Sequence, residues 1–500
     1  MTRDGIPGAA FGAAAVFLGA GVADGAWPTG WAALVCALVC GALGATLLAV
    51  RRRGTAAPEA EVRDAAPGLA KNDMTPTRPG RSSLVAAAAV WALALLAGGL
   101  WALTAGDDED DTGTAGKAPA KPSAAAPRIP DPRPSVAWTV PGVGQKYDEG
   151  VGFWGLGSVV AQGRIDGVFA YDGTDGHVRW SVPAPTREAL CAMTRDTEEG
   201  VGLVAYGRHD KPCATLLAVR TSDGTVLWKR TLAGKGLAAD ALAVGGTTAV
   251  GVEDGAVRAR SSESGEQRWQ RAVPKGCQTL AVDADATRTL LAEQCGTGAR
   301  LLALDTRTGA QRWTRDLPVE SKATAAVVSV SPVVLAVDEE DTRGTHAFLG
   351  FDDKGTPSVT VPLSGPEGVL SAPGEVGDGR TVRPLVRGGL LITLAEAGSS
   401  VPTSVVAYSL KDGRKAWLYG SEHQTMALAV EPDGRVAVLG YDAAITLLDP
   451  ATGKVRTRLT PDTAKTPEIS IRPELQPVTG GHVVLNQILM QAEPAAFALR

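Results

Sequence analysis

A short motif recurs along this 500-residue chain and constrains its fold more than any other feature. The stretch Ala303–Trp313 reads Ala-x-Asp-x-x-x-Gly-x-x-x-Trp, and Ala170–Trp180 carries the same letters at the same offsets. Five copies of the Gly-x-x-x-Trp half are complete, and two keep only the glycine, in the order Gly176/Trp180, Gly224/Trp228, Gly265/Trp269, Gly309/Trp313, Gly355/Val359, Gly413/Trp417 and Gly453/Thr457. Seven copies at steps of 40 to 58 residues indicate one repeated structural unit.

Each copy has the pattern of a β-hairpin with its turn at the glycine. An alternating apolar run precedes the glycine, as in LLALD before Gly309, and a polar–apolar run containing the tryptophan follows it. Two more strand-like runs lie upstream, for example CQTLAVD and TLLAEQC. Four short strands in about 45 residues are typical of one blade of a β-propeller.

The spacing gives each residue type a structural role. An aspartate at the strand end accepts backbone N–H groups across the turn, and the glycine takes the positive-φ position. The tryptophan stands on the outermost strand, where its ring fills the gap between adjacent blades. The acid is present as Asp172, Asp305 and Asp449 but is replaced by arginine or serine in other copies. Because equivalent positions tolerate replacement, we interpret these residues as blade-docking elements.

The two ends of the repeat region supply the halves of one further blade. PAAFALR, Pro494–Arg500, has the pattern of the strand before a glycine turn, but the turn and the tryptophan strand are missing. PSVAWTV, Pro134–Val140, provides Trp138 in a tryptophan strand without a partner. Joining them predicts an all-β, eight-bladed propeller over residues 134–500, closed by its N- and C-terminal strands so that no sheet edge is left open.

Over residues 134–500, the spacing of the repeated Ala, Asp, Gly and Trp residues resembles the tryptophan-docking motif of the pyrroloquinoline-quinone (PQQ) quinoprotein propellers. The resemblance implies the propeller fold but does not assign a chemistry. Propellers of this type include quinone-dependent alcohol and glucose dehydrogenases. Others are non-catalytic and are similar to the scaffold lipoproteins of outer-membrane-protein assembly or to the sensor ectodomains of bacterial kinases.

The resemblance to quinone dehydrogenases implies a vicinal disulfide, a Ca²⁺ ion held partly by Asn and Glu, and a catalytic Asp. No two cysteines are adjacent here, and the only asparagines are Asn72 and Asn486. His-Glu-x-x-His, Gly-x-Ser-x-Gly and phosphate-loop patterns are also missing from the sequence. We therefore expect no catalytic residue, no metal and no cofactor. The alternative is a PQQ-dependent dehydrogenase of alcohols or sugars that passes electrons to the membrane.

Four cysteines in the repeat region fall two to a unit, as Cys191 with Cys213 and Cys277 with Cys295. The first of each pair lies at the start of an innermost strand, and the second lies at or just beyond the far end of the next strand. Because those positions meet in an antiparallel pair, the sequence predicts two disulfides and an oxidising compartment. The alternative is four free thiols.

The N-terminal region predicts a membrane anchor with transmembrane helices at about residues 6–23, 31–50 and 84–105. Residues 84–105 carry no charge and are long enough to cross a hydrocarbon core of about 30 Å. Basic residues of the 51–83 loop favour its location on the cytoplasmic side. The sequence therefore predicts a multi-pass protein of the cell membrane in which everything after residue 106 is extracytoplasmic. Residues 106–133 are an Ala/Pro-rich linker. If residues 6–23 were a cleaved signal, the orientation would be the same.

Charge and one insertion bear on partners. Residues 136–500 hold 37 Lys and Arg against 42 Asp and Glu, so this mildly acidic region is a poor ligand for nucleic acid.

The longest step between motif glycines, 58 residues, contains a Gly/Pro-rich insertion that is a candidate partner loop. Its charged residues are Glu367, Glu375, Asp378, Arg380 and Arg383. The alternative is a tolerated surface insertion. We interpret the chain as a non-enzymatic binding scaffold or ligand sensor for an envelope protein or an extracellular ligand.

Overall fold

The computed structural model describes residues 133–142, 148–208, 211–373, 376, 382–396, 401–489 and 493–500. All of them belong to one unit, Lys121–Arg500. Within these ranges no helix is both long and apolar enough to cross a membrane. The three predicted transmembrane segments, the 51–83 loop and the linker up to residue 132 lie outside the described residues.

The described chain forms eight antiparallel sheets, and each sheet is one blade. The first four blades are regular, with the innermost strand first. Blade 1 comprises β2 (Asp148–Leu156), β3 (Val159–Arg164), β4 (Gly167–Asp172) and β5 (Val178–Pro183); blade 2 comprises β6 (Ala189–Met193), β7 (Val201–Gly207), β8 (Thr215–Arg220) and β9 (Val226–Thr231). Blade 3 comprises β10 (Leu237–Gly245), β11 (Thr248–Glu253), β12 (Ala256–Ser261) and β13 (Gln267–Ala272); blade 4 comprises β14 (Cys277–Ala284), β15 (Arg288–Cys295), β16 (Gly298–Asp305) and β17 (Gln311–Asp316).

The remaining blades include one irregular blade and one composite blade. Blade 5 comprises β18 (Ala323–Ser329), β19 (Val333–Glu339), β20 (His346–Phe351) and β21 (Pro357–Pro362); blade 7 comprises β28 (Thr425–Val430), β29 (Val436–Gly440), β30 (Ile445–Leu448) and β31 (Val455–Leu459). Blade 6 comprises β22 (Ser364–Gly365), β23 (Gly368–Leu370), β24 (Leu385–Arg387), β25 (Leu390–Glu396), β26 (Ser404–Ser409) and β27 (Lys415–Gly420). Blade 8 takes β32 (Pro473–Val478), β33 (Gly481–Asn486), β35 (Ala496–Leu499) and β1 (Val136–Val140), while β34 (Ile488–Leu489) pairs with β2 and a 3₁₀ turn spans Thr463–Lys465.

Burial falls from the middle strands of a blade to its outermost strand. Every residue of β7 is buried, whereas in β17 only Trp313 is buried and the other five residues are exposed. The middle strands are covered on both faces by the adjacent blades, so they are mostly apolar. The outermost strand faces solvent and buries the one side chain that docks onto the next blade.

Blade 8 closes the ring with strands from both ends of the chain, and this confirms the predicted eight-bladed propeller. In β1, Trp138 pairs with Ala498 and Val140 pairs with Ala496. The backbone N–H of Ser135 donates to the carbonyl of Arg500 at 2.6 Å, and the N–H of Arg500 donates back at 2.9 Å. All four residues of β35 are buried, so the C-terminal strand is part of the core.

The motif tryptophans join each blade to the following one. Each ring stacks on the turn glycine of the next blade, and its Nε1–H donates to a backbone carbonyl of the same turn at 2.8–3.1 Å. A Cβ on any of these glycines would lie only 2.5–2.8 Å from the indole. The six docking pairs are Trp138/Gly176, Trp180/Gly224, Trp228/Gly265, Trp269/Gly309, Trp313/Gly355 and Trp417/Gly453. Glycine is thus required both for a φ near +70° and for the close approach of the ring.

The two replaced tryptophans have different surroundings. Val359 contacts Gly413, which keeps a φ of +70°, so a smaller side chain takes the docking position between blades 5 and 6. Thr457 belongs to blade 7 and faces blade 8, whose third and fourth strands are joined by no turn because they are the two ends of the described chain. The glycine on which a tryptophan would stack therefore does not exist at that blade.

The motif aspartates hold the glycine turns. Asp172 accepts from the N–H of Thr174 at 2.7 Å, and this bond lowers the pKa of its carboxyl. Hydrogen bonds from Arg312 and then Thr308 lower the pKa of Asp305 to about 2, and Arg456 and Thr452 do the same for Asp449. These acids act inside their own turns, in keeping with a structural role.

Both predicted disulfides are confirmed. Cys277 and Cys295 are opposite each other in the β14–β15 ladder, and Cys191 of β6 is bonded to Cys213, which lies shortly before β8. The bonds close loops with sequence separations of 22 and 18 residues.

Candidate binding site on the propeller axis

The insertion in blade 6 interrupts the strand that lies nearest the axis. The short strands β23 and β24 both pair with β25, β23 at its Ala395–Glu396 end and β24 at its Leu390–Ile392 end. Together they occupy the position of one innermost strand, and the described residues between them belong to no strand. The described residues of the insertion are therefore located at the inner side of the blade, where Pro373, Arg383 and Pro384 line a cavity.

Residues of all eight blades line the space around the axis. One cavity there has a volume of about 520 Å³ and is lined by parts of β2, β18, β24, β28 and β32, the loop after β6 and the blade 6 insertion. Two smaller cavities, of about 190 and 250 Å³, extend along the inner strands. Arg383 lines all three cavities, so this one side chain is located where they meet.

Arg195, in the loop after β6, ties three blades together at the axis. Its Nη2 is 2.5 Å from Asp283 of β14, and its Nε is 2.9 Å from Asp196. Its Nη1 donates to the carbonyl of Val327 in β18 at 2.7 Å. Burial opposes the charge of the guanidinium, but the carboxylates of Asp283 and Asp196 outweigh it and raise the pKa of Arg195. Every nitrogen of this guanidinium has an acceptor, which makes Arg195 a structural tie.

Arg383 is held much more loosely. Its guanidinium lies over the ring of Phe153, 4.4 Å from the centroid, and its Nη1 donates to the backbone carbonyl of Arg195 at 3.3 Å. Its Nε is 3.8 Å from Oε1 of Glu474, which is too long for a hydrogen bond. Burial raises the pKa of Glu474, against the effect of Arg383. The cavity therefore contains a cation and a sheltered carboxylate that do not satisfy each other.

The other residues of the candidate partner loop do not share this position. Glu367 is buried at the start of blade 6, where its carboxylate accepts from the Tyr408 hydroxyl at 3.1 Å and pairs with Lys415. Hydrogen bonding from Lys415 lowers the pKa of Glu367, so this acid belongs to the framework of the blade. Glu375, Asp378 and Arg380 lie outside the described residues.

The sequence did not identify four residues of the site, because they occupy no position of the repeated motif: Phe153, Arg195, Asp283 and Glu474. Each is placed by a strand or loop that reaches the axis, and they come from blades 1, 2, 4 and 8. The one signal that leads here is the long step between the motif glycines of blades 5 and 6, which marks the blade whose inner strand is interrupted.

The repeat region matches one family along nearly all of its length. The family model described as "Outer membrane protein assembly factor BamB" matches residues 131–287, 203–376 and 288–494. The chain belongs to the BamB family. The match reaches all eight blades, including the interrupted blade 6, but it ends before β35 of blade 8 and leaves the N-terminal region outside it.

Solved propellers that resemble this BamB-family chain include the crystal structure of BamB from Moraxella catarrhalis. It is 16% identical, over 73% of this chain and 99% of that chain, with a TM-score of 0.45. The computationally designed protein Ika8 is 14% identical, over 73% and 99%, with a TM-score of 0.49. The C-terminal WD40 domain of Sif2 is 10% identical, over 74% and 98%, with a TM-score of 0.46. No curated protein matches the chain significantly.

The resemblance to quinone dehydrogenases can be tested against the residues of this BamB-family propeller. Asn486, the one asparagine of the repeat region, is buried, and its amide holds loops by bonding Ser470 N–H, the Glu468 carbonyl and the Pro494 carbonyl. Among the described residues, no three His, Cys, Asp or Glu side chains are grouped closely enough to hold a metal ion. The residues present thus do not match the Ca²⁺ ligand set that the resemblance implies.

Proposed function

We propose that this protein is a non-catalytic binding propeller of the cell envelope, anchored in the membrane by its N-terminal segments with the propeller outside. The proposal rests on one observation: the repeated residues and the residues at the axial cavity have different roles. The repeated Trp, Gly and Asp residues dock blades and hold turns, whereas the one interruption of the repeat brings a loosely held arginine to an axial cavity. Such an arrangement is suited to recognition on a rigid frame.

Family membership supports the envelope role. The matching family is described as an assembly factor for outer-membrane proteins, and a protein that assists assembly acts by binding other proteins. The two disulfides support an oxidising compartment, because such bonds persist outside the cytoplasm. The partner is then another envelope protein or an extracellular ligand, and the propeller acts as a scaffold or as the sensing part of a receptor.

Photo-crosslinking in cells tests the scaffold role on the full chain. A photoreactive amino acid at Asp196, exposed beside the axial cavity, should yield a defined adduct with an envelope protein. The matched control carries it at Lys229, exposed on the outermost strand of blade 2. Adducts from Asp196 but not from Lys229 are the expected result. If neither position gives an adduct, or if both give the same diffuse set of proteins, the scaffold role is refuted.

Cysteine labelling in intact cells tests the orientation. A membrane-impermeant maleimide should label Asp196→Cys, and it should leave Ser82→Cys in the 51–83 loop unlabelled until the membrane is permeabilised. The wild-type chain provides the background from Cys36 and Cys40. Labelling of Ser82→Cys alone in intact cells would show that the topology is the reverse of the one proposed.

A further inference from the structure

Two arginines line the axial cavity, and they differ in how completely their donors are used. Arg195 has an acceptor at each of its three nitrogens. Among the described residues, Arg383 has one hydrogen bond, at 3.3 Å, and its Nη2 has no acceptor. A guanidinium with unused donors at a cavity wall is a binding group for a planar anion, above all a carboxylate.

Glu474 is in the opposite situation, because its carboxylate is an acceptor without a donor among the described residues. Its side chain is 11% exposed, and no group of the described chain donates a hydrogen bond to its carboxylate, since Arg383 stays 3.8 Å away. A sheltered carboxylate without a donor is destabilised relative to one that is hydrogen-bonded. A ligand group that donates to Glu474 would remove this deficit.

The unused donors of Arg383 and the carboxylate of Glu474 together indicate the chemistry of a ligand. A simple carboxylate on Arg383 would place a second negative charge beside Glu474, and a simple amine on Glu474 would leave Arg383 unsatisfied. A molecule that carries a carboxylate and an ammonium group a few ångströms apart satisfies both residues and adds no net charge. The remaining charged groups of the cavity of about 520 Å³, Arg195 and Asp196, are already paired with each other.

The cavity walls also offer apolar contacts for the rest of the ligand. Apolar surface in the cavity that contains Arg383 and Glu474 comes from Phe153, Leu385, Val386, Leu428, Ala429 and Leu475. Its volume of about 520 Å³ lies within the range of about 300–1,000 Å³ typical of small-molecule sites. An apolar side chain a few carbons long would bury against these walls.

We propose that the axial cavity binds a free α-amino acid with an apolar side chain, with its carboxylate on Arg383 and its ammonium group on Glu474. The inference rests on the proposed function insofar as the ligand is bound and not consumed. It gives the sensor role a ligand class, and it makes blade 6 and blade 8 the two halves of the site, since Arg383 and Glu474 belong to those blades.

Calorimetric titration of the purified full chain in detergent tests this site. The probes are L-leucine, L-valine, L-methionine and L-phenylalanine, together with two analogues of leucine. N-acetyl-L-leucine lacks the ammonium group, and L-leucinamide lacks the carboxylate. We expect saturable binding of at least one amino acid of the panel, and binding of both leucine analogues weaker than that of leucine by about tenfold or more.

Three variants assign the contacts. Arg383→Gln should weaken binding of the preferred amino acid by about tenfold or more, because the charged, forked donor is lost. Glu474→Gln should weaken it as well and should reduce the preference for leucine over N-acetyl-L-leucine, because the negative charge that repels the acetylated analogue is gone. Arg387→Gln is the matched control, since Arg387 is exposed at the end of β24 and lines none of the three cavities. It should bind like wild type.

Each contrary result has a distinct meaning. If N-acetyl-L-leucine binds as tightly as leucine, the site takes a plain carboxylate; if leucinamide does, it takes a cation; and if no amino acid of the panel binds, the proposal is wrong. Should Arg383→Gln lose its cooperative thermal unfolding, Arg383→Lys and Glu474→Gln still decide the assignment. Retained crosslinking at Asp196 without amino-acid binding would refute this inference and leave the scaffold role intact.

Discussion

Replacement of Gly265 by alanine isolates the contact that joins one blade to the next. Gly265 has a φ of +70°, and a Cβ there would lie 2.7 Å from Cδ2 of Trp228. Gly255, in the same blade, has a φ of +68°, and a Cβ added there would meet nothing within 4 Å. The two alanine variants therefore share the backbone strain, and only the one at Gly265 displaces the indole.

The expected magnitudes follow from these contacts. An alanine in the left-handed region costs about 1–2 kcal/mol, partly offset by the lower entropy of the unfolded chain, so Gly255→Ala should lower the free energy of unfolding by about 1 kcal/mol. At Gly265 the indole must also move, which adds an overpacking cost of about 1–3 kcal/mol. The displacement weakens the hydrogen bond from Trp228 Nε1 to the carbonyl of Ser262, now 2.8 Å long.

A double-mutant cycle provides the assay. Trp228 is buried, so Trp228→Ala should cost about 3–5 kcal/mol by itself. In the Trp228→Ala background, Gly265→Ala should cost only the strain of about 1 kcal/mol, because no ring remains to be displaced. Guanidinium unfolding followed by circular dichroism measures all four proteins without relying on tryptophan fluorescence. Equal costs for Gly265→Ala and Gly255→Ala in the wild-type background, or strict additivity in the cycle, would refute the docking argument.

Three further predictions concern closure, the disulfides and pH. Deleting residues 495–500 removes all of β35 and should abolish cooperative thermal unfolding of the propeller; a folded, cooperative product would mean that the ring closes without blade 8. Cys277→Ser should lower the free energy of unfolding by about 3 kcal/mol, and reductant should remove most of the difference from wild type; a difference that persists in reductant would assign the loss to packing. Asp305→Asn should lower the free energy of unfolding by at most about 1 kcal/mol at pH 6, because the carboxyl is partly exposed and screened. Its folded pKa of about 2 is below the unfolded value of 3.8, so this stabilisation is present above pH 4 and lost as the pH falls through 2; a variant effect that is unchanged at pH 2 would contradict the assignment.

The ring was predictable from the sequence because its determinants are local and repeated. A turn glycine and a tryptophan four residues later, as in Gly309 and Trp313, specify a hairpin without reference to the rest of the chain. The glycine recurs at seven places, five of them with the tryptophan, and the half-motifs at Trp138 and Phe497 supply the eighth blade and the closure. What the spacing does not reveal is that the two halves of one motif contact different blades, since Trp228 docks on Gly265 and its own Gly224 receives Trp180.

The axial site was not predictable for the opposite reason. Arg383 and Glu474 are 3.8 Å apart in space but belong to blades 6 and 8, and neither occupies a repeated position. The insertion was recognised by its length, yet its location required knowing that β23 and β24, three residues each, are two parts of one inner strand. Strands of three residues carry too little alternation to be identified from sequence.

A repeat fold restricts where a specific function can arise. The residues that dock the blades recur around the ring, so they do little to distinguish one direction from another. Specificity therefore has to come from positions that blade docking leaves free, and the inner strands offer them, because their residues face the axis and not the neighbouring blade's turn. Interrupting one inner strand adds a side chain at the axis while blade 6 keeps its docking contact onto blade 7, where Trp417 docks on Gly453; the contact onto blade 6 itself is made by Val359 and not by a tryptophan. The structure thus repeats its docking frame around the ring and places non-repeated side chains such as Arg383 and Glu474 at the axis, which is the arrangement that the proposed ligand recognition requires.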